Sequence, residues 1–446
     1  MKVAYFVGAF PTVSETFVIN QIAGMAARGC DVEIFATADA TAGEPPEAVM
    51  QHRLTERLYR LDAPKQGLVR IAQVAWLLLV CGWRAPVVVV RALNVARHGR
   101  TAATLGLLYA ALVVVRHGKR RFDIVHAQFG TYAMLAMKLI ETGALSGKVV
   151  VSFRGYDVTK FLRETPHAYD ELFRQGNLFL PVSQAVANRA VAAGCDPAKI
   201  EVHHSGIDCA KFRHPQKERG RNESTAVLIV GRLVEKKGIA DGIAAIARVV
   251  ALGRVIHCTI IGDGPLHDAL QGQIEELGIS AYVRLIGAKR HDEVIEQMAR
   301  SHILIAPSVT ASDGDEEGIP NTLKEAMAMS LPVISTRHSG IPELVEDGVS
   351  GYLVRERDVA ALADRLTQLV DDPEKCAAMG RRGRDRVEAE FAIERLNDRL
   401  LELYRGLRDQ GAAPVAPTER RSTESAGANR GPQGACDSRA ERAPRH

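Results

Sequence analysis

Three short segments hold the residue types that could handle a phosphate-bearing polar ligand. The first, Gly231-Arg232-Leu233-Val234-Glu235-Lys236-Lys237-Gly238, sets two fixed cations, Arg232 and Lys237, beside a turn that glycine permits. Cations so placed suit a diphosphate. The second is Gly262-Asp263-Gly264-Pro265, and the third is the long loop Pro307–Gly318 followed by Ile319-Pro320-Asn321-Thr322-Leu323-Lys324-Glu325. Helices expected to begin after Gly264 and Gly318 would offer free N–H groups and a favourable dipole to the same anion. Glu317 and Glu325 add acceptors for sugar hydroxyls, because carboxylates repel phosphate alone. A ligand that carries both a diphosphate and hydroxyl-rich sugars uses every piece.

Each segment taken alone also has a plainer reading. Arg232 and Lys237 are compatible with solvated loop charges, and Gly262-Asp263-Gly264 with an ordinary turn. Thr322-x-x-Glu325 matches a capping box, in which Glu325 merely satisfies a backbone amide. Asp313-Gly314-Asp315 has the letters of a metal-binding DxD but sits deep in an acidic loop, and no metal is expected. Gly262-x-Gly264 lacks the third glycine of a dinucleotide fingerprint, since position 267 is His, so no nicotinamide cofactor is expected either.

The three segments need a scaffold that delivers them to one edge. Each follows a short apolar run: Ala226–Val230, Cys258–Ile261 and Ile303–Ala306. Short buried strands alternating with helical patterns predict parallel βαβ units in an α/β, doubly wound sheet. In such sheets ligands bind outside the carboxyl ends of the strands. The pattern begins twice, at Lys2–Val7 before Gly8 and at Ala226–Val230 before Gly231, and runs such as Phe122–His126, Val149–Phe153 and Pro332–Ser335 continue it. Two Rossmann-like domains are therefore expected, over residues 1–216 and 225–388, joined by a polar linker at 217–224. An amphipathic helix follows at 389–410, and the tail 411–446, poor in large apolar side chains, is expected to be disordered.

Composition narrows the class further. The balance of 57 Lys+Arg against 53 Asp+Glu gives +4, which speaks for no nucleic-acid partner. Seven scattered cysteines without a CxxC argue against a zinc ribbon or a disulfide framework and for a reducing compartment. The first residues already read as a strand rather than a signal peptide, so a cytoplasmic protein is expected. The apolar runs Ile71–Trp83 and Thr101–Val115 are shorter than a bilayer span. Between Arg60 and Arg121, eleven Lys/Arg stand against one acid, Asp62, and flank those runs. Two readings stay open there: a surface that presses onto an anionic bilayer, or buried helices with solvated basic ends.

The ordered co-occurrence of GRLVEKKG, IIGDGPL and the E-x7-E pair Glu317–Glu325 inside EGIPNTLKEAMAMSLPVIST resembles the family 4 glycosyltransferases, retaining enzymes of the two-Rossmann GT-B type. FPTVSETF (Phe10–Phe17), DIVHAQFG (Asp123–Gly130), SFRGYD (Ser152–Asp157), PVSQAV and HHSGID extend the resemblance through the first half. FPTVSETF and the stretch around Glu317 resemble most the subgroup that builds colanic acid and related exopolysaccharides.

The resemblance implies roles. Arg232 and Lys237 would bind the donor diphosphate and stabilise the departing nucleoside diphosphate, and Glu325 would hold the ribose. Glu317 would sit at the donor sugar, with Gly318, Ile319, Pro320, Asn321 and Thr322 cradling sugar and phosphate. Gly262 and Gly264 belong to the same donor side. No metal or other cofactor is implied. The final helix would cross back onto the N-terminal domain, which would take the acceptor, a lipid-linked or growing polysaccharide at the inner membrane face. Glu15, His126, Arg154 and Asp157 are the candidate sugar or acceptor contacts there. Two positions depart from the family: Arg154 stands where many members carry a histidine, and the usual H-x-H after the preceding strand reads His126-Ala127-Gln128. An arginine is a permanent cation and cannot shuttle a proton. Two rivals remain, a sugar-nucleotide epimerase of the same architecture and a non-catalytic nucleotide-sugar-binding partner in polysaccharide assembly.

Overall fold

The computed structural model describes residues 1–12, 15–39, 46–118, 121–212 and 224–409. The expected disordered tail, and the expected linker up to residue 223, lie outside these residues.

Two parallel six-stranded sheets organise the chain. The first contains β1 (Lys2–Ala9), β2 (Asp31–Ala38), β3 (Leu58–Arg60), β4 (Arg121–Ala127), β5 (Ser146–Phe153) and β6 (Leu178–Pro181). The second contains β7 (Thr225–Val230), β8 (Ile256–Ile261), β9 (Val283–Leu285), β10 (Ile303–Ala306), β11 (Val333–Thr336) and β12 (Tyr352–Val354). Their orders are β3-β2-β1-β4-β5-β6 and β12-β11-β10-β7-β8-β9. Read from its own first strand, the second sheet repeats the first. Each reverses direction between its first and fourth strands, the switch point at which doubly wound sheets open a crevice.

The strands are apolar on both faces because helices cover both. Helix Ile239–Ala251 shows the rule: Ile239, Ile243, Ile246 and Val249 recur at helical spacing and are all buried. After helix Pro373–Glu390 the buried Phe391 turns the chain, and helix Ile393–Asp409 lies against the first half. There Arg28 pairs with Glu394 and Asp398, each at 2.7 Å, and the Tyr404 and Tyr5 hydroxyls meet at 3.0 Å. The turn is pinned to the stretch that precedes β7: Ile207 N–H donates to Phe391 O and Ile393 N–H to Ile207 O, both at 2.9 Å.

One helix is longer than its apolar run suggested. Helix Gly67–Cys81 continues through a 3-10 turn to Arg84, giving 18 residues apolar and long enough to cross a membrane by length and composition. It instead packs one face on the first half through Val74, Leu77 and Cys81.

Candidate active site

The loops that leave β7 and β10 flank the switch point of the second sheet, and two glycines let them close up. Gly238 has φ of +61°, and a Cβ there would lie 1.9 Å from the Pro307 carbonyl oxygen. Gly262 plays the same part beneath, where a Cβ would meet the Gly231 carbonyl oxygen at 1.8 Å. Only glycine tolerates such approaches. The result is a cleft of about 560 Å³ between the halves. The second half lines it with Arg232, Lys236, Lys237, Glu317 and the Gly318–Thr322 segment, and the first half with Glu15, Phe17, Phe129, Arg154 and Tyr156.

Glu317 is the electrostatic centre of this cleft. Its carboxylate lies 3.0 Å from Lys237 Nζ and 3.5 Å from Lys236 Nζ. Burial pushes its pKa upward, but the two lysines outweigh burial and hold it at about 2. It is therefore ionised at every physiological pH and unsuited to proton transfer. The backbone of Glu317 is fixed as well: its N–H donates to His338 Nε2 at 3.0 Å. His338 must then carry its own proton on Nδ1, which faces Glu356 Oε1 at 2.6 Å.

Helix Asn321–Ala328 opens into the same cleft through Pro320, Asn321 and Thr322, so its unpaired first turn faces any bound anion. The capping-box reading of Thr322-x-x-Glu325 does not hold, because the helix has no side-chain cap. Glu325 instead meets His291 Nε2 at 3.3 Å in an adjoining cavity of about 230 Å³, and this contact raises the His291 pKa.

Comparison with known proteins decides the family. Residues 14–211 match the description Glycosyltransferase Family 4, and residues 210–386 match Glycosyl transferases group 1. The protein of Salmonella typhimurium named "Putative colanic acid biosynthesis glycosyltransferase WcaL" is 35% identical over 407 residues, 90% of this chain and 99% of that one. The chain belongs to the group 1, family 4 glycosyltransferases. The amylovoran biosynthesis glycosyltransferase AmsK of Erwinia amylovora is also 35% identical, across 88% of this chain and 96% of its own. Among solved structures, Anabaena HepE in complex with UDP and glucose aligns with a TM-score of 0.67 at 18% identity, over 91% of this chain and 100% of HepE. Sucrose-phosphate synthase from Thermosynechococcus elongatus aligns at 0.68 and 17% identity, over 92% and 100%. These likenesses establish the GT-B fold.

Several residues singled out from this glycosyltransferase's sequence lie away from the cleft. Gly262 and Gly264 do not line it; they pack beneath the Gly231–Leu233 loop, so their part is loop approach rather than ligand contact. His126 is fully buried, with Nδ1 on the Tyr404 hydroxyl and Nε2 2.9 Å from Ser152 Oγ. Burial lowers its pKa, so it is a neutral packed side chain rather than a sugar contact. Asp157 is also fully buried, and both of its oxygens are spent. Oδ1 accepts the N–H groups of Arg154 at 2.9 Å and Gly155 at 3.1 Å, while Oδ2 accepts that of Gly130 at 3.1 Å. It shapes the turn that carries Arg154. Asp313 and Asp315 are ion-paired to Lys160 at 2.6 Å and Lys236 at 2.9 Å.

Arg154 and Glu15 do face the cleft. Burial lowers the Arg154 pKa to about 10, with Glu15 and Asp157 opposing, so it remains cationic at neutral pH. Its Nη1 donates to Ser205 Oγ at 2.8 Å, Nε to Gln128 O at 3.2 Å and Nη2 to Gln128 Oε1, and the guanidinium stacks 4.2 Å from the Phe17 ring centroid. Glu15 is raised by burial, against the pull of Arg154.

Residues the sequence reading passed over complete the floor. Lys236 reads as a solvated loop lysine yet is 8% exposed. Lys324 is 1% exposed and donates to Ser205 O at 2.7 Å, so Ser205 is held by Arg154 from the first half and by Lys324 from the second. Burial drives the Lys324 pKa down to about 7, with Glu325 opposing. An unfolded lysine titrates near 10.4. The unfolded chain therefore binds the extra proton between these values, and wild-type stability falls as pH drops through that window. Denaturant midpoints should show Lys324→Met gaining on wild type as pH is lowered from 10 to 7, then levelling off. A difference independent of pH would contradict the buried charge.

Proposed function

We propose that this glycosyltransferase moves a hexose from a UDP- or GDP-sugar to a lipid-linked or growing surface-polysaccharide acceptor at the inner face of the cytoplasmic membrane, with retention of anomeric configuration. The observation that carries the reading is the charge arrangement of the cleft. Lys236 and Lys237 converge on Glu317 beside Arg232 and an open helix N-terminus, a set suited to a diphosphate joined to a sugar. The exopolysaccharide names of WcaL and AmsK support the acceptor class.

Arg232, Lys237 and the amides of Gly318–Thr322 hold the diphosphate, and Glu317 accepts hydrogen bonds from the donor sugar. Glu325, beside His291, takes the ribose hydroxyls in the adjoining cavity. The acceptor enters along Glu15, Arg154 and Tyr156. Its hydroxyl oxygen bonds the anomeric carbon on the face from which the phosphate departs. The carbon–phosphate-oxygen bond breaks, and the hydroxyl proton passes to the departing phosphate oxygen. Neither Glu317, held ionised, nor Arg154, held cationic, shuttles that proton. The lysines and helix amides stabilise the charge on the leaving group, the kind of contribution that dominates many enzymes. Metal-free operation is part of this reading: fixed cations do the work otherwise given to a divalent ion.

Incubation with UDP- or GDP-sugars and a lipid-linked oligosaccharide tests it. Acceptor-dependent release of nucleoside diphosphate with a glycosylated product is expected. A protein that binds nucleotide yet releases none under any donor and acceptor would be the non-catalytic partner, and isomerised donor would indicate an epimerase.

A further inference from the structure

The 18-residue stretch Gly67–Arg84 carries only apolar residues besides Arg70, Gln73 and Arg84, and a helix so rich in them is normally covered on most sides. Here only one face is covered. Val74, Leu77 and Cys81 enter the first half's core, as do Ala85, Val88 and Ala92 from the segment that follows. On the opposite face Leu68 is 84% exposed, Leu79 81% and Trp83 71%, and helix Pro86–Ala92 continues the surface with Val87 at 58% and Val90 at 71%. A contiguous exposed apolar face on this scale marks an interaction surface.

Charge identifies the occupant. Arg84, Arg91, Arg100 and Arg116 are exposed around or beside the apolar face, in a region with a single acid, Asp62. Arg84 stacks 5.2 Å from the Trp83 ring and Arg116 4.5 Å from the Trp76 ring. Tryptophan and arginine paired in this way suit the boundary between acyl chains and headgroups. A second copy of the chain fits poorly, because a two-fold contact sets the same patch against itself and brings cation to cation.

We propose that this face docks the protein in one leaflet of an anionic bilayer, with helix Gly67–Cys81 and helix Pro86–Ala92 lying in the interface plane. Crossing would require Val74, Leu77 and Cys81 to leave the core they complete, so the contact is monotopic. The helix Pro86–Ala92 packs on helix Gly130–Thr142, whose first residue is clamped by Asp157 in the turn that bears Arg154. The docked surface therefore belongs to the half that takes the acceptor. This inference rests on the proposed membrane-face reading for its purpose, but its test does not depend on transfer.

Trp76 and Trp83 are the chain's only two tryptophans, so tryptophan emission, excited selectively over the tyrosines, reports on the patch alone. The full chain is to be mixed with phosphatidylcholine vesicles, with and without phosphatidylglycerol, at low and high salt. Co-sedimentation with the anionic vesicles, a blue-shifted emission and quenching by brominated acyl chains are expected, with binding weakened at high salt. The Leu79→Ser/Trp83→Ser double variant, changed only at exposed positions, should bind at least tenfold more weakly. Its thermal midpoint and response to nucleotide should match wild type. No binding to anionic vesicles would overturn the proposal, as would equal binding by the double variant, or a dimer in sedimentation velocity that the double variant abolishes. A lost nucleotide response with vesicle binding intact would count against the cleft's proposed function and leave this surface standing.

Discussion

Glu317→Gln is expected to lower transfer by about 10²–10³-fold while nucleotide affinity stays within about threefold of wild type. The carboxylate sits between Lys236 and Lys237 in the cleft, and in the proposed function its charge organises the position of the reacting sugar. Glutamine keeps the size and loses that charge. The cations proposed to bind the diphosphate remain, and Lys237 loses a competitor for phosphate, so any change in affinity should be toward tighter binding. Single-turnover rates and nucleotide titrations on the two proteins check both halves. Transfer at the wild-type rate would show that Glu317 has no part in the reaction.

The same variant carries a stability signature. A carboxyl held at about 2 when folded and near 4.3 when unfolded contributes stability that is fully present above the unfolded value. That contribution, on the order of 3 kcal/mol, is lost as pH falls through the folded value. Glu317→Gln should thus be less stable than wild type at pH 7, and the gap should close between pH 4 and 2.

Lys237→Ala is expected to act on binding and turnover together. A charge-assisted contact to phosphate is worth about 1.5–3 kcal/mol, or roughly a 10- to 100-fold weaker nucleotide dissociation constant. Turnover should fall by about a further 10²-fold, because the charge leaving with the phosphate loses a cation. Removal of Lys237 also takes away the nearer partner of Glu317, leaving Lys236 at 3.5 Å, so the Glu317 pKa should rise. The split between the two variants carries the diagnosis. Loss of turnover alone marks the sugar side, and loss of both marks the diphosphate side.

Much of the scaffold was legible because it depends on local pattern. Apolar runs meeting glycine at Gly8 and Gly231 announced two sheets, and the strand order repeats in both, although β1 itself runs through Gly8 to Ala9. The cleft residues Arg232, Lys237 and Gly318–Thr322 were legible for a related reason: all lie in the connections that leave the carboxyl ends of β7 and β10, Gly318–Thr322 at the far end of a long loop. What sequence could not reveal was burial set by distant partners. His126 is claimed by Tyr404, 278 positions away, and Asp157 by the amide of Gly130. Lys236 and Lys324 look like surface lysines until the neighbouring loop and the Ser205 segment close over them. The basic, apolar region was undecided for the opposite reason. Apolar helices suit a core and a bilayer equally, and only the exposure of Leu79 and Trp83 separates the two faces.

The most direct test of the account is thermal stabilisation of wild type and Lys237→Ala by UDP, GDP, ADP, CMP and NAD in parallel. A ligand that binds only the folded state at 100 times its dissociation constant adds about 2.7 kcal/mol. The account predicts that UDP or GDP alone raises the wild-type midpoint, and that Lys237→Ala loses most of that rise at the same concentration. Stabilisation by NAD instead, or an undiminished response to UDP or GDP in Lys237→Ala, would place the nucleotide somewhere other than the cleft described above.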